Sequence, residues 1–160
     1  IQTADMLKLP VPKANFHTEV IKPSEMQQEM IKSLAERAES IRGGNVDPSV
    51  DNMLRITNDG RKLALDMRLV NPLAPDDENG KVATCARNVY SIWEKSRDTR
   101  GTQLVFCDLS TPKSDGTFSV YDDLKKKLIA TGIPEDEIAF IHDADSEDKK
   151  NLLLNQPGVS

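Results

Sequence analysis

Two short apolar runs constrain this chain more than any other feature: Gln103-Leu104-Val105-Phe106-Cys107 and Ile138-Ala139-Phe140-Ile141-His142. Continuous apolar runs of this length, bounded by turn residues, fit strands covered on both faces of a parallel sheet. Between them Ser119, with Asp122 three positions on, resembles a capping box. It opens a helix through Leu124, Leu128 and Ile129 that ends at Gly132. Strand, helix and strand with short connections make a βαβ unit, whose crossover is right-handed in nearly every case. Two strands make a poor sheet, so further strands are expected upstream, downstream or in the ambiguous segments. The expected fold class is therefore α/β, with a short parallel sheet flanked by helices.

The front half reads differently. Leu7, Leu9, Pro10 and Pro12 make an extended lead-in, and residues 15–22 alternate through Phe16 and Val20 like a strand, stopped by Pro23. Ser24 and Gln27 form a capping box for a helix whose stripe is Met26, Met30, Leu34, Ala38 and Ile41, closed by Gly43 and Gly44. Met53 to Thr57 fits either a short strand or a helical turn. Residues 60–70 read as a helix carrying Leu63, Met67 and Val70, ended by Asn71-Pro72. Asn79-Gly80 precedes a helix running to about Arg97, with Val82, Cys85, Val89, Ile92 and Trp93 as its buried stripe. A last helix is expected from about Ser146 through Leu152, Leu153 and Leu154. The chain thus divides into residues 1–78, extended and helical, and residues 79–160, a truncated α/β core.

Composition narrows the functions. At 38% hydrophobic and 29% charged, the 160 residues suit one compact domain and are too polar for a membrane protein; a cytoplasmic location is expected. The net charge of −5 lacks the basic excess of a free-standing nucleic-acid binder. Cys85 and Cys107 have no paired spacing and read as core thiols; His17 and His142 lack the close partners of a zinc site.

No catalytic constellation is present: no Gly-rich phosphate loop, no GxGxxG after a strand, no HExxH and no nucleophile elbow. Asp143, Asp145, Glu147 and Asp148 match no calcium-loop spacing and fit an acidic helix start. Lys125-Lys126-Lys127 fans around a wide arc of a helix and reads as a solvated face, ahead of the alternative of a phosphate-tracking patch. The loops after the expected strands, Asp108 to Lys113 and Asp143 to Ser146, lie where open α/β sheets bind ligands. Their hydroxyls serve either as phosphate donors or as turn and cap residues.

In order along the chain, these segments resemble the Swi/Snf-type branch of the superfamily-two DNA helicases and translocases. The matching segments are the Leu7–Pro12 lead-in, Lys22-Pro23-Ser24-Glu25-Met26-Gln27, Leu69-Val70-Asn71-Pro72 and Asn79-Gly80-Lys81. Gln103 to Ser110, Asp143-Ala144-Asp145-Ser146 and Glu147 to Asn155 follow. Ala144 stands where the family has glycine, and the loop 112–118 is long and polar, as in a divergent bacterial or phage-related branch whose members are often fused to an adenine DNA methyltransferase. The resemblance implies an incomplete RecA-like lobe, the front of the motor's second lobe, preceded by a mostly helical segment. It implies DNA-backbone contacts from Ser110, Thr111, Lys113 and Ser146, and docking against the first RecA-like lobe of the same parent. It also implies that the chain does not hydrolyse ATP by itself, since the groups that bind ATP and Mg²⁺ belong to other parts of the parent. Phosphoryl transfer is positioning plus charge stabilisation, and neither is expected here. The alternative is a protein-interaction or scaffold module with no motor ancestry, which the acidic charge fits. A receiver-like or nucleotide-binding enzyme would need an acidic pocket or phosphate loop, where Cys107-Asp108 offers one carboxylate.

Overall fold

The computed structural model describes residues 14–112, 116–144 and 146. Within them the chain forms four α-helices: α1 (Glu25–Arg42), α2 (Met53–Leu65), α3 (Lys81–Ser96) and α4 (Val120–Thr131). Single 3₁₀ turns follow at Met67–Leu69, Arg97–Thr99, Glu135–Glu137 and Ile141–Asp143.

The expected α/β fold is overturned. No strand or sheet forms among the described residues. The apolar run 103–107 forms no regular element, Ile138 and Phe140 are extended, neither run pairs with the other, and Ile141–Asp143 closes into a 3₁₀ turn. Residues 15–22 are likewise outside any ladder, with Phe16 and Val20 almost wholly exposed. A helix satisfies its own backbone, whereas a strand depends on a neighbour supplied by distant chain. What links the two runs is a side chain. The Tyr121 hydroxyl donates to the Cys107 carbonyl at 2.7 Å, and its ring meets Phe140 and His142 edge-on at 5.7 and 5.3 Å between centroids. Of the helix expected from about Ser146, only Ser146 is described, as a bend, and the lead-in at 7–12 lies outside the described residues.

The helices follow their local signals. Ser24 caps α1, its Oγ accepting from the Gln27 N–H at 3.2 Å. The Gln27 amide does not return to Ser24, as a full capping box would have it. It donates across to the Leu63 carbonyl at 2.7 Å, fastening α1 to the last turn of α2. Met53–Thr57 is helical and not a strand. Asn52 caps α2, its Oδ1 accepting from the Arg55 N–H at 3.0 Å. Ser119 caps α4, and Gly132 ends it at φ 105°, a left-handed conformation that side chains resist.

Two helical units result, each with its own apolar cluster. In the first, Leu63, Met67 and Ala74 are buried under Met30, Leu34 and Val70. Leu63 is 1% exposed; burial of such a side chain is worth about 1.5–3 kcal/mol. In the second, Ala86, Leu128 and Ile133 are buried, with Val89, Tyr90, Trp93, Leu124 and Ile138 packed around them. Trp93 serves this core, and its indole N–H donates to Glu137 at 2.6 Å. α1 packs on α2 and α3 on α4; no helix pair spanning the two units packs comparably.

Candidate functional site

Three places could carry a function: the loop expected to meet DNA, an acidic cluster, and the exposed apolar run.

The loop from Asp108 to Pro112 leads from the apolar run toward α4. Ser110 adopts φ 63°, the left-handed region. Its hydroxyl accepts from the Val120 N–H at 2.9 Å, and its carbonyl accepts from the Ser119 hydroxyl at 3.3 Å. The half-buried Ser110 side chain therefore holds the first turn of α4, satisfying one of the helix's orphan donors. Thr111 is exposed, as is Ser146. Lys113 lies outside the described residues. The structure thus brings Ser110 and Thr111 together by sequence adjacency, with Ser110 already engaged. Arg61 on α2, which the sequence reading did not single out, reaches this loop and pairs with Asp108 at 2.6 Å. Both partners are more than half exposed, and such pairs contribute about 0–1 kcal/mol.

Asp66, Asp76 and Asp123 bring carboxylate oxygens within 4.8 Å of one another, a spacing that would suit a metal. The chemistry of the set argues otherwise. Arg68 Nη2 stands 2.7, 2.9 and 2.8 Å from Asp66, Asp76 and Asp123, and the Lys127 ammonium pairs with both Asp76 and Asp123. Two protein cations already occupy the centre of the three carboxylates. Hydrogen bonding to Asp66 raises the Arg68 pKa, against the opposing effect of burial. Burial works to raise the Asp123 pKa, but hydrogen bonds from Arg68 and Lys127 outweigh it and hold the carboxyl below its ordinary value. Burial likewise works to lower the Lys127 pKa and is outweighed by its two carboxylates. Arg68 also lies over the Phe118 ring, 4.2 Å from its centroid. Of the expected solvated lysine face, Lys126 is exposed, Lys125 pairs with Glu135 at 2.9 Å, and Lys127 belongs to this cluster.

The apolar run is the third place. Leu104, Val105 and Phe106 are 64%, 45% and 89% exposed. Gln103 pins the start of the run to α3, its amide donating to the Val89 carbonyl at 3.0 Å. Residues 104–106 make no backbone hydrogen bond among the described residues. Beside the run opens a groove of about 440 Å³, bordered by Ile21, Cys85, Val89 and Ile92. Burial pushes the Cys85 thiol pKa up, so this cysteine is a small apolar side chain and a poor nucleophile.

Among the described residues no helix is long and apolar enough to cross a membrane. Compared with protein-family models, with curated proteins and with solved structures, the chain matches none.

Proposed function

We propose that this chain is a non-catalytic helical element of a larger protein assembly, and that the assembly is an ATP-dependent DNA translocase of the Swi/Snf type. The first half rests on one observation: the run Leu104-Val105-Phe106 faces solvent beside an apolar groove, without backbone partners among the described residues. Contiguous apolar surface of this kind marks a contact with protein, and each such side chain gains about 1.5–3 kcal/mol on burial.

The second half rests on the order of segments. The helix starts that carry the resemblance fall at Ser24 and Gly80, which cap α1 and α3, and the apolar run precedes an exposed loop at Thr111. In this role the chain presents Thr111, Lys113 and Ser146 to the DNA backbone, while Ser110 shapes the loop. It leaves ATP and Mg²⁺ to the nucleotide-binding lobe of the parent. The sheet expected from sequence plays no part in this reading.

The test is fluorescence anisotropy with labelled duplex DNA at low and physiological salt, alongside an ATP-turnover assay. Weak, salt-sensitive binding that falls further in Thr111→Ala, with no turnover, is the expected result. ATP hydrolysis by the chain would contradict the reading. Absence of any duplex binding at low salt would remove the motor and leave the interaction module, which the acidic net charge of −5 favours.

A further inference from the structure

We infer that the Arg68 cluster is a latch holding the two helical units in one relative orientation, and that the units form a hinge when it is broken. Three observations lead there. The units have separate apolar clusters, Leu63–Met67–Ala74 and Ala86–Leu128–Ile133. Their boundary is incompletely filled: a cleft of about 180 Å³ lies between Ile21, Pro23, Gln27 and Met67 of the first unit and Lys81 and Val82 of the second. The strongest polar tie across the boundary joins Arg68, after α2, to Asp123 on α4, at 2.8 Å with both side chains at least 86% covered. Lys127 on α4 reaches back to Asp76 in the connecting segment.

The helices of one unit pack only lightly on those of the other, an arrangement that permits relative motion of the parts joined, and a close-packed core would leave no such cleft. The ions therefore set the orientation more than the packing does. Their geometry is suited to that task. A planar guanidinium with fixed donors accepts only a narrow range of carboxylate positions, so Asp123 is held in register, not merely attracted. Asp66 adds to this, accepting from Arg68 Nε at 2.9 Å and from Nη2 at 2.7 Å. It fixes the arginine on the first unit and aims the rest of the fork at the second. Low exposure limits screening by salt, so the latch opens when a charge is changed and not when ionic strength rises. Opening it would move the loop at Asp108–Pro112 relative to α1.

The experiment places nitroxide labels at Ser33→Cys on α1 and Lys126→Cys on α4, both exposed, in a chain carrying Cys85→Ala and Cys107→Ser. Pulsed dipolar spectroscopy then reads the distance distribution. The parent and Asp123→Glu should give one narrow population; Asp123→Lys and Arg68→Leu should add a second, at longer distance. Helical circular dichroism and Trp93 emission should be unchanged, since each unit keeps its own core. An unaltered single population in both charge variants overturns the proposal. Loss of helicity overturns it too, because the ions would then be supporting the interior of the units and not the relation between them.

Discussion

The two helical units differ in what lies against the flanks of α2 and α3. In the first, Leu63, Met67 and Ala74 sit under α1, while Val50, Met53 and Leu54 around the start of α2, and Leu73, are exposed. In the second, one side of α3 is packed against α4, while the other borders an open groove where Ile92 is 52% exposed beside Leu104–Phe106. The difference lies in what covers each helix. α2 is covered by another helix, which needs no backbone partner. The open side of α3 is left to a run outside any regular element, which does. A segment that must borrow its hydrogen bonds stays incomplete until a partner arrives.

Breaking each core tests this contrast most strongly. Leu63→Ala should destabilise the chain by about 2–5 kcal/mol, read as a lower midpoint in urea. Leu128→Ala, only slightly more exposed at 6%, should cost less, because the less enclosed second unit relaxes around the cavity. An equal or larger cost for Leu128→Ala would remove the distinction between the units.

Acid should act next. Hydrogen bonding from Arg37 holds the Asp51 carboxyl below its ordinary value, and Asp123 is held low by Arg68 and Lys127 against its burial. The folded chain thus binds fewer protons than the unfolded chain as pH falls past about 4, the ordinary aspartate value. The stability they contribute is whole above that pH and is lost as pH drops through the depressed values. Thermal midpoints measured from about pH 6 to about pH 2 should fall at the acid end, and Asp123→Asn should flatten part of that fall.

Caps sharpen the comparison at smaller scale. Ser119→Ala removes both the α4 cap and the hydroxyl bonded to Ser110, for a cost of about 1 kcal/mol. Ser24→Ala should cost a similar amount in α1, by the same denaturant measurement. The smallest effect belongs to the open flank: Phe106→Ser should change stability by no more than about 0.5 kcal/mol, while lowering the binding of a hydrophobic dye. A larger loss of stability would mean that Phe106 is covered.

The helices were legible because their signals are local. Ser24 with Gln27, Gly43–Gly44, Gly80 and Gly132 each mark a boundary within a few residues of the turn they cause. The start of α2 lies within the segment left open between a strand and a helical turn, ahead of the helix expected over 60–70; Asn52, three residues before Arg55, carried the cap signal. The strands failed for the opposite reason. Leu104 to Phe106 has the composition of a buried strand, but burial is conferred by other chain and not by the run itself. The Arg68 cluster has no spacing to read, since Asp66, Asp76, Asp123 and Lys127 meet only after both units have formed. Ser110 was legible as a loop hydroxyl. Its left-handed backbone and its bond to Val120 were not, because they depend on where α4 begins.

Amide hydrogen exchange reads the open run residue by residue. Leu104, Val105 and Phe106 should exchange as fast as unstructured amides while the interiors of α1, α2, α3 and α4 are protected. Protection of those three amides at the level of the helices would contradict it, since it would show the run already paired.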